Sequence, residues 1–142
     1  MPSLNFLTNA INAVLLILVT AAPVIFRHPG SFFPFWLRSA AGLGLAVGLA
    51  ESGKYFVVWP GHPSFPSGHE TFALSLATSL VIWDRRWLAL ALPLAALQAW
   101  VLIIAHFHQP PDVVGSLFVG PPCALLCHFW KRRNLALQWP EQ

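Results

Sequence analysis

Apolar residues follow one another in long runs along this chain, interrupted only by short polar connections. Such runs cover Leu7 to Phe26, Ser39 to Val58, Glu70 to Trp83, Trp87 to Ala105 and Asp112 to Trp130. A helix of about 20 apolar residues crosses the hydrocarbon core of a bilayer, so the pattern predicts an all-α polytopic bundle of about five transmembrane helices. The third run is short for a span. Trp83 nevertheless suits an interface, and the Pro-Ser-Gly-His segment ahead of it can lie at membrane depth if it lines a cavity. No Lys or Arg precedes the first run, which therefore lacks the charged start of a signal peptide and is predicted to stay as a helix. The whole of 1–142 reads as a single integral membrane domain.

Composition agrees. Of 142 residues, 56% are hydrophobic and 9% charged, with a mean hydropathy of +0.63. Soluble domains carry about 25% charged residues, and disordered chains show the opposite bias. The net charge of +3 forms no continuous basic stripe, so nucleic acid is excluded as a partner. The lipid bilayer is the expected surrounding. Cys123 and Cys127, four apart in an apolar stretch, read as buried small hydrophobes. Trp36, Trp59, Trp83, Trp87 and Trp130 fall near span ends as an aromatic belt. Gly42, Gly44, Ala46, Gly48 and Ala50 give the second span a small-residue surface for close helix packing, through which so small a chain could also form a homo-oligomer.

Basic residues set the expected orientation. Arg27, Arg38, Arg85, Arg86, Lys131, Arg132 and Arg133 all fall on one side of a five-span chain, leaving Lys54 alone on the other. The positive-inside rule makes the first side cytoplasmic and places the N-terminus outside. Two outer loops, Trp59 to His69 and His106 to Pro111, then hold four of the six histidines. Glu51 and Lys54 stand beside them, three apart and so on one helical face. Ionisable residues at a membrane rim are costly and point to function.

Pro66-Ser67-Gly68-His69 opens the third span. Ser67 can cap that helix, Gly68 allows close approach of a ligand, and the free N–H groups favour an anion such as phosphate. His69 could donate a proton to a leaving oxygen, and Ser67 adds a hydroxyl donor. The plainer reading is a helix cap with an interfacial histidine. In His108-Gln109-Pro110-Pro111-Asp112 the carboxylate could fix the imidazole tautomer, leaving the other ring nitrogen as nucleophile or base. The plainer reading there is that Asp112 caps the fifth span and His108 is a solvated loop residue. His62, His69, His106 and His108 could together hold zinc or copper, but the neighbouring Ser-Gly and Lys elements are better explained by an anion. No metal and no cofactor is expected. His128, beside Cys127, reads as a cap near the cytoplasmic end of the fifth span.

Taken together, Pro66-Ser67-Gly68-His69 and, 39 residues after His69, His108-x-x-x-Asp112-Val113 resemble the second and third signature motifs of the type-2 phosphatidic acid phosphatase superfamily. The resemblance runs from about Lys54 to Gly120, with the phosphatase-like core placed at about 39–130 and the first span outside it. It implies a membrane lipid phosphatase that hydrolyses a phosphomonoester or pyrophosphate of a lipid, such as undecaprenyl pyrophosphate, in a cell inner (plasma) membrane. It further implies that His108 is the nucleophile that becomes a phosphohistidine, that Asp112 orients it, and that His69 protonates the leaving oxygen. Ser67, the Gly68 N–H and Lys54 would hold the phosphate.

The chain departs from the family pattern at two arginines. Gly61 stands where the first motif has arginine, with His62-Pro63 one place later, and Val101-Leu102 stand where the third motif has Ser-Arg. Arginine's bidentate fork is not reproduced by other side chains. His62 and His106 are the nearest candidates to compensate, although histidine carries its charge only in part at neutral pH. The alternatives are a catalytically impaired member that binds a phosphorylated lipid, and a structural membrane subunit.

Overall fold

The computed structural model describes residues 2–25 and 32–136, with side chains over 4–25 and 32–130. Helix α1 (Pro2–Ile25) is followed by α2 (Phe32–Tyr55) and α3 (Gly68–Trp83). A 3-10 turn at Arg85–Trp87 then leads into α4 (Leu88–Ile104), α5 (Pro110–Leu117) and α6 (Gly120–Ala136). Among the described residues there is no strand.

Four stretches are long and apolar enough to cross a membrane: Leu4–Ile25, Phe32–Tyr55, Arg85–Ile104 and Pro110–Trp130. The third predicted span, α3, has 16 residues. At 1.5 Å per residue it is about 24 Å long, short of a hydrocarbon core of about 30 Å. Its position accounts for this, because α3 packs against each of the other five α-helices and forms the centre of the bundle. Ala73, Leu76 and Leu80 of α3 meet Ile11, Leu15 and Val19 of α1, Phe35 of α2 and Ala91 of α4 in one buried cluster. Large side chains such as Leu45, Leu92, Trp100 and Leu126 stay exposed, as lipid-facing residues must.

Several boundaries differ from the sequence reading, and α1 already begins at Pro2 rather than Leu7. Helix α2 begins at Phe32 rather than Ser39, because Pro34 is tolerated in a first turn and Arg38 lies on the helix. Its end comes at Tyr55, where the chain turns. The fifth run is two helices, broken at Phe118–Val119 and restarted by Gly120-Pro121-Pro122. Proline fits the first positions of a helix and not its interior, so the break sits where the sequence allows it.

The small-residue surface of α2 divides in two. Gly42, Ala46 and Ala50 are buried, and a Cβ on Gly42 would lie 3.0 Å from the Ala124 backbone of α6. Gly44 and Gly48 face open space on the other side. At the end of the bundle away from Lys54, the Phe35 ring packs at a tilt against Trp83 (centroids 4.8 Å apart) and His128 (5.4 Å). The reading of His128 as a helix cap is corrected: α6 continues to Ala136, and His128 is buried with its Nε2 3.3 Å from Ser39 Oγ. Its partner is a helix neighbour and not a helix end. Cys123 and Cys127 are free thiols, the first buried and the second half-buried. Trp36, Trp59 and Trp130 are exposed, while Trp83 and Trp87 pack partly against the core. Arg27 lies outside the described residues.

Candidate active site

The two helices that rise to the site end in the same way. At the end of α2, Val58 N–H bonds Gly53 O and Val57 N–H bonds Lys54 O, both at 3.1 Å. At the end of α4, Phe107 N–H bonds Leu102 O (3.1 Å) and His106 N–H bonds Ile103 O (3.0 Å). Both are Schellman turns, in which the residue after the cap takes a left-handed conformation. Those residues are Val57 (φ 47°) and His106 (φ 55°), where glycine is usual. The turns send the chain into the two loops that carry the chemistry.

Ser67 caps α3, its Oγ accepting the Glu70 N–H at 3.3 Å, and the residue is wholly buried. Its backbone does more. Ser67 N–H donates to the Asp112 carbonyl at 2.9 Å, and the Ser116 hydroxyl lies within reach of Ser67 O (3.0 Å) and Asp112 O (3.2 Å). The Pro-Ser-Gly-His segment and the His-x-x-x-Asp segment are thereby stitched together at one end of the bundle. Phe65 seals the junction: a Cβ on Gly115 would collide with its ring.

Asp112 sits third in α5 behind Pro110 and Pro111, and its Oδ2 accepts the Gln109 N–H at 3.0 Å, so it does cap the helix. The same carboxylate also stands between two imidazoles. His62 Nδ1 lies 3.3 Å from Oδ1, and His108 Nδ1 lies 3.6 Å from Oδ2. Asp112 is 3% exposed, so this charge sits in a poorly solvated place. With Nδ1 of His108 turned to the carboxylate, its Nε2 is the nitrogen left for a ligand. Burial holds the His108 imidazole below the ordinary histidine value against the opposing pull of Asp112, and Lys54 and His69 press the same way as burial. His62, Ser64, His106, His108, Gln109 and Asp112 line a cleft of about 320 Å³.

Lys54 is within electrostatic reach of His108, with its Nζ 2.6 Å from Glu51 Oε1. Both atoms stand 3.0 Å from the point a Cβ on Gly68 would occupy, so Gly68 is what lets this pair lie over the first turn of α3. His69, exposed in that turn, is within electrostatic reach of Lys54 and Glu51. Glu70, the next residue, is 2% exposed.

A family profile for the PAP2 superfamily matches residues 11–136. The chain belongs to that superfamily. No curated protein and no solved structure matched it. The match includes most of α1, which the motifs alone left outside. PAP2 members are phosphatases, and membership in a multi-pass helical family supports a phosphoric ester hydrolase acting at a membrane.

Within this PAP2 chain every residue picked out as a site candidate lies at the same end of the bundle. Lys54, Gly68 and His69 cluster over the start of α3; His62, His106, His108 and Asp112 share the cleft. Gly61 and Leu102, at the two missing arginine positions, bring no charge, and Leu102 is buried. Among the described residues, Lys54 is the one Lys or Arg at this end, with Arg38, Arg85 and Arg86 at the other. No three His, Cys, Asp or Glu side chains among the described residues are arranged to hold a metal ion.

Two participants and one contact escaped the sequence reading. Ser116 reaches a carbonyl of each motif, and its place four residues after Asp112 on one helical face was a usable signal. Trp59 packs at a tilt against His62 (centroids 5.2 Å apart) and edge-on against Phe65 (5.0 Å), and so supports the ring that faces Asp112. The approach of His62 to Asp112 is a contact between residues 50 apart, with no local signature.

Proposed function

We propose that this PAP2 member hydrolyses the terminal phosphate of a lipid phosphomonoester or pyrophosphate through His108. In the first step His108 Nε2 attacks phosphorus, the bond to the leaving oxygen breaks, and His69 gives that oxygen a proton. In the second, water attacks the phosphohistidine, yields its proton to His69, and frees inorganic phosphate and His108. Asp112 holds His108 in the tautomer with Nε2 unprotonated and offsets the charge that develops on the ring. Lys54, the first-turn N–H groups of α3 and the imidazoles of His62 and His106 stabilise the transferring group.

The observation that carries this reading is the joining of the two motifs by Ser67 N–H and Asp112 O at 2.9 Å, with His108 beside the same aspartate. A cleft at the end of spanning helices suits a substrate whose tail stays in lipid while its head enters. The basic residues Arg38, Arg85 and Arg86 at the opposite end support an extracytoplasmic site by the positive-inside rule. A second reading, recognition of a phosphorylated lipid without turnover, is favoured by the pairing of Lys54 with Glu51 where two arginines are absent. Phosphate release from lipid phosphates and pyrophosphates, with and without His108→Ala, separates the two.

A further inference from the structure

The phosphate position over α3 already holds an anion, and it is the protein's own. Glu51 Oε1 and Lys54 Nζ are 2.6 Å apart, and each is 3.0 Å from where a Gly68 Cβ would be. The carboxylate therefore lies on Lys54 and beside the first turn of α3, so a phosphate that binds Lys54 there meets it. We propose that Glu51 is an internal competitor for the phosphate site, which an incoming phosphate group must displace from Lys54. This inference rests on the phosphate-site reading above and adds a residue that governs access to it.

Two features make displacement feasible. The Glu51 side chain is 59% exposed and Lys54 26%, so the carboxylate is the water-facing partner and the ammonium the anchored one. Exposed ion pairs of this kind are weak, because solvent and salt screen them and ordering two long side chains costs entropy. Space is also present: an open pocket of about 600 Å³ is lined by Glu51, Ser52, Lys54, Tyr55 and Phe56. A phosphate that takes Lys54 leaves Glu51 free to turn into that pocket. The consequence is specific to this chain. With no arginine among the described residues at this end, Glu51 cancels the one permanent positive charge near His108, and its departure restores it.

The test is binding of inorganic phosphate to the detergent-purified full chain, by calorimetry, for wild type, Glu51→Gln, Glu51→Ala and Lys54→Ala, and for Glu51→Gln combined with Lys54→Ala. Both Glu51 variants should bind about fivefold more tightly than wild type, the size expected for freeing a screened ion pair. That gain should vanish when Lys54 is also removed. Weaker binding in both Glu51 variants would mean that the carboxylate positions Lys54, and equal binding would mean that the pair is open in solution; either overturns the inference and leaves the phosphate site standing. No phosphate binding by any of the proteins would overturn the site itself, and the inference with it.

Discussion

Ser67 donates its backbone N–H to the carbonyl of Asp112 at 2.9 Å, a bond that joins the loop before α3 to the first turn of α5. The two halves of the site are thus held in register by main chain, and their side chains inherit that placement. Ser116 braces the same junction from one turn along α5. Its one proton serves one of these carbonyls at a time, and both keep a backbone donor, so removing the hydroxyl costs about 1 kcal/mol. Ser116→Ala should lower the midpoint of thermal unfolding and cut phosphate release about tenfold through misplacement of Asp112. A circular-dichroism melt and initial rates check both; unchanged values would show that the junction does not depend on Ser116.

Two glycines separate positioning from packing. A Cβ on Gly68 meets only the flexible ends of Lys54 and Glu51, whereas a Cβ on Gly115 meets the Phe65 ring. Gly68→Ala should therefore fold with little change in stability and raise KM about fivefold by pushing Lys54 aside. Gly115→Ala should cost about 1–3 kcal/mol of stability, as overpacking does, and Phe65→Leu in the same chain should return part of it. Melting curves of the three variants give the comparison, and equal losses for the two alanines would contradict it.

Much of this site was legible before the fold. The Ser67 cap, the Glu51–Lys54 pair and the placing of His69, His108 and Asp112 at one end follow from helix periodicity and loop position, which are local properties. The break between α5 and α6 was also written locally, in Gly120-Pro121-Pro122, but counting apolar residues across the run hid it. His62 beside Asp112 and His128 beside Ser39 were not legible, because each depends on how separate helices pack. The central position of α3 belongs to the same class: its 16 residues read as a marginal span until its neighbours were known.

Val57 carries a left-handed conformation that a β-branched side chain tolerates poorly. Glycine relieves that cost at the same turn. Val57→Gly should stabilise the protein by about 1 kcal/mol, seen as a higher melting temperature. A lower one would mean that the Val57 side chain contributes more than its backbone loses.

Burial lowers the His108 value below its ordinary 6.5. The unfolded chain then binds more protons at this residue than the folded one between the lowered value and 6.5, so stability rises with pH across that window and is lost as pH falls through it. Activity should show an acid limb below pH 6.5, because the nucleophile must be unprotonated, and should fall again at higher pH as His69, its own value lowered by burial and by Lys54, loses the proton it must give. Asp112→Asn removes the interaction that opposes burial and should move the acid limb lower still while reducing the rate. Titration of the His108 ring by NMR in both proteins checks the sign; a limb that moves upward in Asp112→Asn would contradict it.

The most direct test of the central claim is phosphate release by the purified protein from a panel of long-chain lipid phosphates and pyrophosphates, with EDTA present, beside His108→Ala. The account predicts release from at least one lipid by wild type, with a loss of at least about a thousandfold in the variant, as expected when a covalent nucleophile is removed. Release that persists undiminished in His108→Ala would contradict it. So would a folded wild-type protein that binds a lipid phosphate and never releases phosphate from any of them.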